Sequence, residues 1–190
     1  MNMAAQDKND NPANERGKAA KLEKDGNFKE ALEIYQQLLG SQRDPQSGTD
    51  LSHARSCLQR LNRISEVDAL IENSIKTQPA NSSLLDQAAS TYVSLPHYGY
   101  IVAGKFNRGD HRSGGQYSHC TERDRIRAIQ LYLQALKHWP ADGKDDNKAM
   151  LYSRLGAAIS MARRGSGAWR LQIDSDLTKL PDNEPGNRWH

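Results

Sequence analysis

Apolar residues recur along this chain at the three- and four-residue spacings that put them on one face of a helix. The clearest stripe is Phe28, Ala31, Leu32, Ile34, Tyr35, Leu38 and Leu39, which predicts a helix over about 28–39. A shorter helix over about 15–24 precedes it across the turn Asp25-Gly26-Asn27, and a polar linker, 40–48, follows. Similar patterns predict helices over about 51–61, 65–77, 83–94, 122–139, 146–163 and 168–180. Ser65 with Asp68, and Thr121 with Asp124, read as helix starts with an acidic third position. Pro79, Pro140 and the run Leu180-Pro181-Asp182 read as stops.

A spaced signature repeats within these stripes. A small residue is followed four later by a large one, three later by a small or apolar one, and then by Pro. The copies are Ala31/Tyr35/Leu38/Pro45, Val67/Ile71/Ser74/Pro79, Ala128/Tyr132/Ala135/Pro140 and Ala168/Gln172/Ser175/Pro181. Their first members stand 36, 61 and 40 residues apart, which is a period of about 34 with polar or Gly-rich additions. The physical reason for such a pattern is close packing: the small residue lets one helix of a pair approach the other, and the large one fills the next turn. The expectation is an all-α chain, a short right-handed solenoid of about four helix pairs over residues 16–182. Residues 1–15 read as a disordered tail and 183–190 as a loose end.

The largest addition, residues 95–120, breaks the third pair. It holds five of the 14 Gly, four of the nine Tyr and Phe, and three of the six His, with a formal charge of +2. A loop this long is functional or disordered in most compact chains, and its aromatics argue against full disorder. The alternation from Tyr98 to Phe106 suits a short hairpin or an extended arm. Three readings stand. It is a structural plug, with Tyr98, Tyr100 and Phe106 over the end of the helix stack. It is a contact surface, with Tyr98, Tyr100, Lys105, Phe106, Arg108, His111 and Arg112 as binding residues. Or it carries chemistry: His97, His111, His119 and Cys120 as zinc ligands, or Cys120 with His111 as a nucleophile pair. No ligand spacing or orienting third group supports the last, so no catalytic residue, metal or cofactor is assigned.

Composition narrows the partners. Hydrophobic content is 36% and mean hydropathy −0.84, which suits a repeat array that buries less per residue than a globule. Net charge is +3, too balanced for a dedicated nucleic-acid binder on charge alone. Arg55, Arg60 and Arg63, and Arg123, Arg125 and Arg127, keep RNA or another nucleic acid as the alternative partner. Two cysteines, Cys57 and Cys120, make no disulfide framework. No apolar run is long enough to span a membrane, and the start lacks a signal peptide, which points to the cytoplasm as the chain stands.

The segments Lys24-Asp-Gly-Asn-Phe-Lys-Glu-Ala-Leu-Glu-Ile-Tyr35 and Arg125-Ile-Arg-Ala-Ile-Gln-Leu-Tyr-Leu-Gln-Ala-Leu136 resemble the tetratricopeptide-repeat family. That resemblance implies a concave groove lined by the first helix of each pair. Here the groove residues would be Ser52, Ser56, Gln59, Asp86, Ser90, Ser153 and Ser160, without the family's Lys/Asn/Arg carboxylate clamp. More narrowly, the run from Tyr98-Gly-Tyr through Gly104-Lys-Phe-Asn-Arg-Gly-Asp-His-Arg-Ser-Gly-Gly-Gln-Tyr117 and Glu122-Arg-Asp-Arg-Ile-Arg-Ala-Ile-Gln-Leu131, with the ending Ala168-Trp-Arg-Leu-Gln, is similar to the N-terminal helical region of large bacterial alpha-2-macroglobulin-like proteins. This implies an envelope or periplasmic setting ahead of protease-trapping domains. The family's Cys-x-Glu-Gln thioester is absent, since Cys120-Thr-Glu-Arg123 ends in Arg. The expected function is a non-catalytic protein-interaction scaffold whose partner is a protein, a peptide or downstream domains of a larger relative. A zinc-dependent enzyme is the remaining alternative.

Overall fold

A computed structural model describes residues 11–41, 44–110, 114–140, 145–161, 177–180, 182 and 184–185. The described part is mostly helical. The helices are α1 Pro12–Lys24, α2 Phe28–Gly40, α3 Ser47–Arg60, α4 Val67–Thr77, α5 Ser82–Ser94, α6 Thr121–Lys137 and α7 Asp145–Ser160, with a 3-10 turn at Ile64–Glu66 before α4. Each helix packs on its chain neighbour. In addition α2 touches α4, α3 lies along α5, and α5 reaches α7.

The signature residues explain this packing. Ala31, Tyr35, Leu38, Val67, Ile71, Ser74, Ala128, Tyr132 and Ala135 are all buried. All but Ser74 join Leu32, Leu51, Leu58, Leu84, Leu85, Leu131 and Leu151 in one continuous core. The fourth copy, Ala168 to Pro181, falls outside the described residues. The last residues of the helix expected there, 177–180, form a turn.

Polar groups pin the helix ends. Gln78 accepts from Ser47 Oγ at 2.9 Å and donates to the Leu39 carbonyl at 3.1 Å. Asn81 caps α5 through Leu84 N and also donates to the Asp44 carbonyl. Arg16 of α1 forks onto Asp50 of α3 at 2.7–3.1 Å. Arg125, buried on α6, donates to the Ala158 and Ile159 carbonyls. These carbonyls lie in the last turn of α7, whose carbonyls a helix cannot all satisfy alone.

The chain is not all-α. Residues 95–120 hold strands β1 Tyr98–Val102, β2 Lys105–Arg108 and β3 Gln116–His119, and a two-residue strand β4, Glu184–Pro185, joins them. The sheet order is β2-β1-β3-β4, antiparallel throughout. The hairpin expected from the Tyr98–Phe106 alternation is therefore there. Its turn is Ala103-Gly104, both at positive φ (49° and 78°), the conformation a tight two-residue hairpin turn requires. Gly99 has no alternative, because a Cβ there would collide with the Asn107 carbonyl and the Phe106 ring. Two terminal expectations change. Residues 12–15 belong to α1 rather than to a disordered tail, capped by Asn11 with Pro12 at its start. Residues 184–185 are a strand held by Ser118 and His119 rather than part of a loose end.

Candidate functional site

Direct pairing puts Gly99, Arg108 and Ser118 on one face of the sheet, and Tyr98, Tyr100, Asn107, Tyr117 and His119 on the other. The first face meets the helices. Its centre is Arg108, 2% exposed. Arg108 Nε and Nη2 donate to Asp68 of α4 at 2.9 and 2.7 Å. Nη1 and Nη2 donate to Asp124 of α6 at 2.6 and 2.7 Å. Nη1 also donates to the Pro96 carbonyl at 2.7 Å and to Cys120 Sγ at 3.3 Å. All the guanidinium nitrogens are therefore engaged, and one side chain fastens the hairpin to two helices. The Phe106 ring lies 5.6 Å from the guanidinium carbon.

The electrostatics follow from this packing. Burial alone would lower the Arg108 pKa, but hydrogen bonds to Asp124 and Asp68 outweigh it and raise it. Burial opposes ionisation of Asp124, yet hydrogen bonds from His97, at 2.8 Å, and from Arg108 hold its carboxyl below the usual range. Burial pushes the Cys120 thiol up to about 12, the Arg108 charge offsetting this only in part. A thiol so poised stays protonated at neutral pH and is a poor nucleophile. Cys57 is pushed to about 11, again by burial.

Beside this clamp lies a cavity of about 390 Å³, lined by Glu72, Tyr92, Phe106, Arg123, Arg127 and Leu180 among others. Its charges are largely spent on one another. Arg127 forks onto Glu72 at 2.8 and 2.6 Å, and the Tyr92 hydroxyl donates to the same carboxylate at 2.8 Å.

The expected binding residues divide. Arg108 and Tyr100 are buried, so neither presents itself to a partner. Phe106 is half-buried, while Lys105 is exposed and Tyr98 half-exposed. His111 and Arg112 lie outside the described residues. Tyr98, Tyr100, Tyr117 and His119 instead form an aromatic ladder, with ring centroids 5.0–6.1 Å apart. Of the candidate zinc ligands among the described residues, His97 and Cys120 both turn to Asp124, and His119 lies edge-on to Tyr117. Among the described residues no group of three or more His, Cys, Asp or Glu is placed to hold a metal ion, and no helix is long and apolar enough to cross a membrane.

Among the groove residues, Ser52, Gln59, Ser153 and Ser160 are exposed and Ser56 half-buried. Asp86 is tied to Arg154 of α7 at 2.8 Å; burial nonetheless raises its carboxyl, with the Arg154 charge acting against this. Ser90 shares a hydrogen bond with the Tyr132 hydroxyl at 3.1 Å. Two residues that matter were not singled out from the sequence as a pair: Asp68 and Asp124. The sequence marks both only as helix-start acids, and only the fold brings them together. The chain matches no protein-family model and no curated protein.

Proposed function

We propose that this chain is a non-catalytic protein-interaction scaffold built from tetratricopeptide-like helix pairs, with the sheet as a structural plug. The observation that carries the reading is how the polar side chains are used. Arg108, Ser118 and Cys120 of the insertion are buried against the body, whereas Ser52, Gln59, Ser153 and Ser160 stay exposed on α3 and α7. Packing of each helix on the next, with α3 along α5, supports a stacked arrangement whose first helices share one face. Nucleic acid fits less well. Arg108, Arg125 and Arg127 are held by carboxylates, which leaves fewer cations for phosphates. The inert thiol of Cys120 speaks against nucleophilic chemistry.

A setting ahead of macroglobulin-like domains belongs to the same proposal. An antibody to this chain separates its two forms: a band near 21.3 kDa marks a free-standing scaffold, and a much larger band in the envelope marks a module of a longer protein. The interaction itself is tested by placing a photo-crosslinking amino acid at Ser52 or Ser153, and at exposed Lys29 or Glu33 of α2 as controls. Discrete adducts in native cells are expected from the serine positions. Equal yields from α2, or no adduct from either serine, would overturn the groove reading.

A further inference from the structure

The sheet has two sides along which a strand could be added, and the fold closes them differently. β2 stands at one edge and lies against the 3-10 turn Ile64–Glu66, where a Cβ on Gly109 would be 2.9 Å from the Ile64 side chain. At the other side, β3 is covered by Glu184 and Pro185 of β4, which return to it from far along the chain. A strand edge presents a row of backbone donors and acceptors, which makes it a template for another strand.

The register shows which groups β3 turns to that side. Cys120 donates its N–H to the His97 carbonyl, and Ser118 stands opposite Gly99. In an antiparallel ladder, residues that exchange hydrogen bonds alternate with residues that do not. Ser118 and Cys120 therefore turn their backbone groups to β1, while Tyr117 and His119 turn theirs outward. β4 meets this outward row where Glu184 pairs with His119. Pro185 stands opposite Ser118, a point at which the ladder asks for no N–H, and it has none to give. The point opposite Tyr117 lies beyond the described residues. Within its two described residues, β4 thus has one amide to offer. A strand so short opens at a low cost in free energy.

We propose that the outer side of β3 docks an extended segment of a partner protein by strand addition, with β4 as the resident strand that the partner displaces. The register of β4 states the partner's chemistry. An acidic residue suits the point opposite His119, where Glu184 stands, because an imidazole has a ring N–H to donate. Proline is tolerated at the next point, opposite the fully buried Ser118. A partner that offers amides opposite both His119 and Tyr117 uses both outward positions, and main-chain hydrogen bonds then carry its affinity. A second copy of the chain is disfavoured. It would bring only the same β4, which already docks within its own chain at the high effective concentration of a tether. The inference goes beyond the groove reading. It uses the backbone of β3 and none of the serines of α3 or α7, so the crosslinking test and the one below fail independently.

The probe is a fluorescein-labelled peptide with the sequence of residues 182–188, read by fluorescence anisotropy on the full chain. In the parent, β4 competes and the peptide should bind weakly. Glu184→Pro removes the amide that β4 offers to His119, and should let the peptide bind about tenfold more tightly. The same peptide N-methylated at its glutamate cannot give that hydrogen bond and should not bind. Amide exchange on the parent gives a second reading that needs no variant. Excess peptide, on the order of 1 mM, should speed exchange at Glu184 and leave Ser118, which is bonded to β1, unchanged. Equal binding by parent and variant, binding indifferent to N-methylation, or Glu184 exchange unmoved by excess peptide each overturns the proposal. A concentration-dependent dimer of the parent that Glu184→Pro abolishes would overturn it as well, in favour of a second copy.

Discussion

Arg108 is the side chain on which the insertion depends. It lies 40 positions from Asp68 and 16 from Asp124, and its loss strands a carboxylate only 1% exposed. Breaking a buried ion pair from one side costs about 3–5 kcal/mol. Arg108→Met should therefore lower unfolding stability in urea by about that much, and Arg108→Lys should recover little, because an ammonium cannot fork onto two carboxylates. A loss below about 1 kcal/mol would show that the clamp is dispensable. Asp124 gives the clamp a pH dependence. Its folded pKa is depressed, so its contribution is complete above the unfolded value of about 4 and fades as pH falls through the folded value. Asp124→Asn should be less stable at neutral pH and lose less further stability between about pH 4 and 2. An unchanged acid slope would mean that Asp124 is not held ionised by the clamp. None of this was legible in the sequence. The insertion left a plug, a contact surface and a chemical site all open, and only the fold shows that its central cation is consumed by two acids distant along the chain.

Helix periodicity marked α2, α4, α5 and α6 closely, because each hides a stripe of Leu, Ile, Ala or Tyr from water. It failed where burial is polar. α3 starts at Ser47, earlier than the apolar pattern indicates, since buried Ser47 and Asp50 are paid for by Gln78 and Arg16. Strand β4 has no pattern of its own and exists through pairing with β3. The small-residue signature proved to be a packing rule: Ala128 has no exposure and lies on α6, against α5 and α7. Ala128→Leu should overpack that contact and destabilise the chain by roughly 1–3 kcal/mol, read from chemical denaturation. A change under about 0.3 kcal/mol would mean that the helices do not meet at this residue.

For the whole molecule, the division of labour between sheet and helices sets what is left for binding. A plug uses its polar groups internally, and the exposed faces of α3 and α7 then remain for a partner. An arm would do the reverse. Amide hydrogen exchange of the intact chain separates these directly, since protection reports how much of the body must open to expose a given amide. The plug predicts that Tyr100, Asn107 and Ser118 exchange as slowly as the amides of α5 and α6, and that Arg108→Met accelerates the strand amides first. Strand amides that exchange at the rate of an unstructured peptide, while α5 and α6 remain protected, would contradict it and return the insertion to the role of a contact arm.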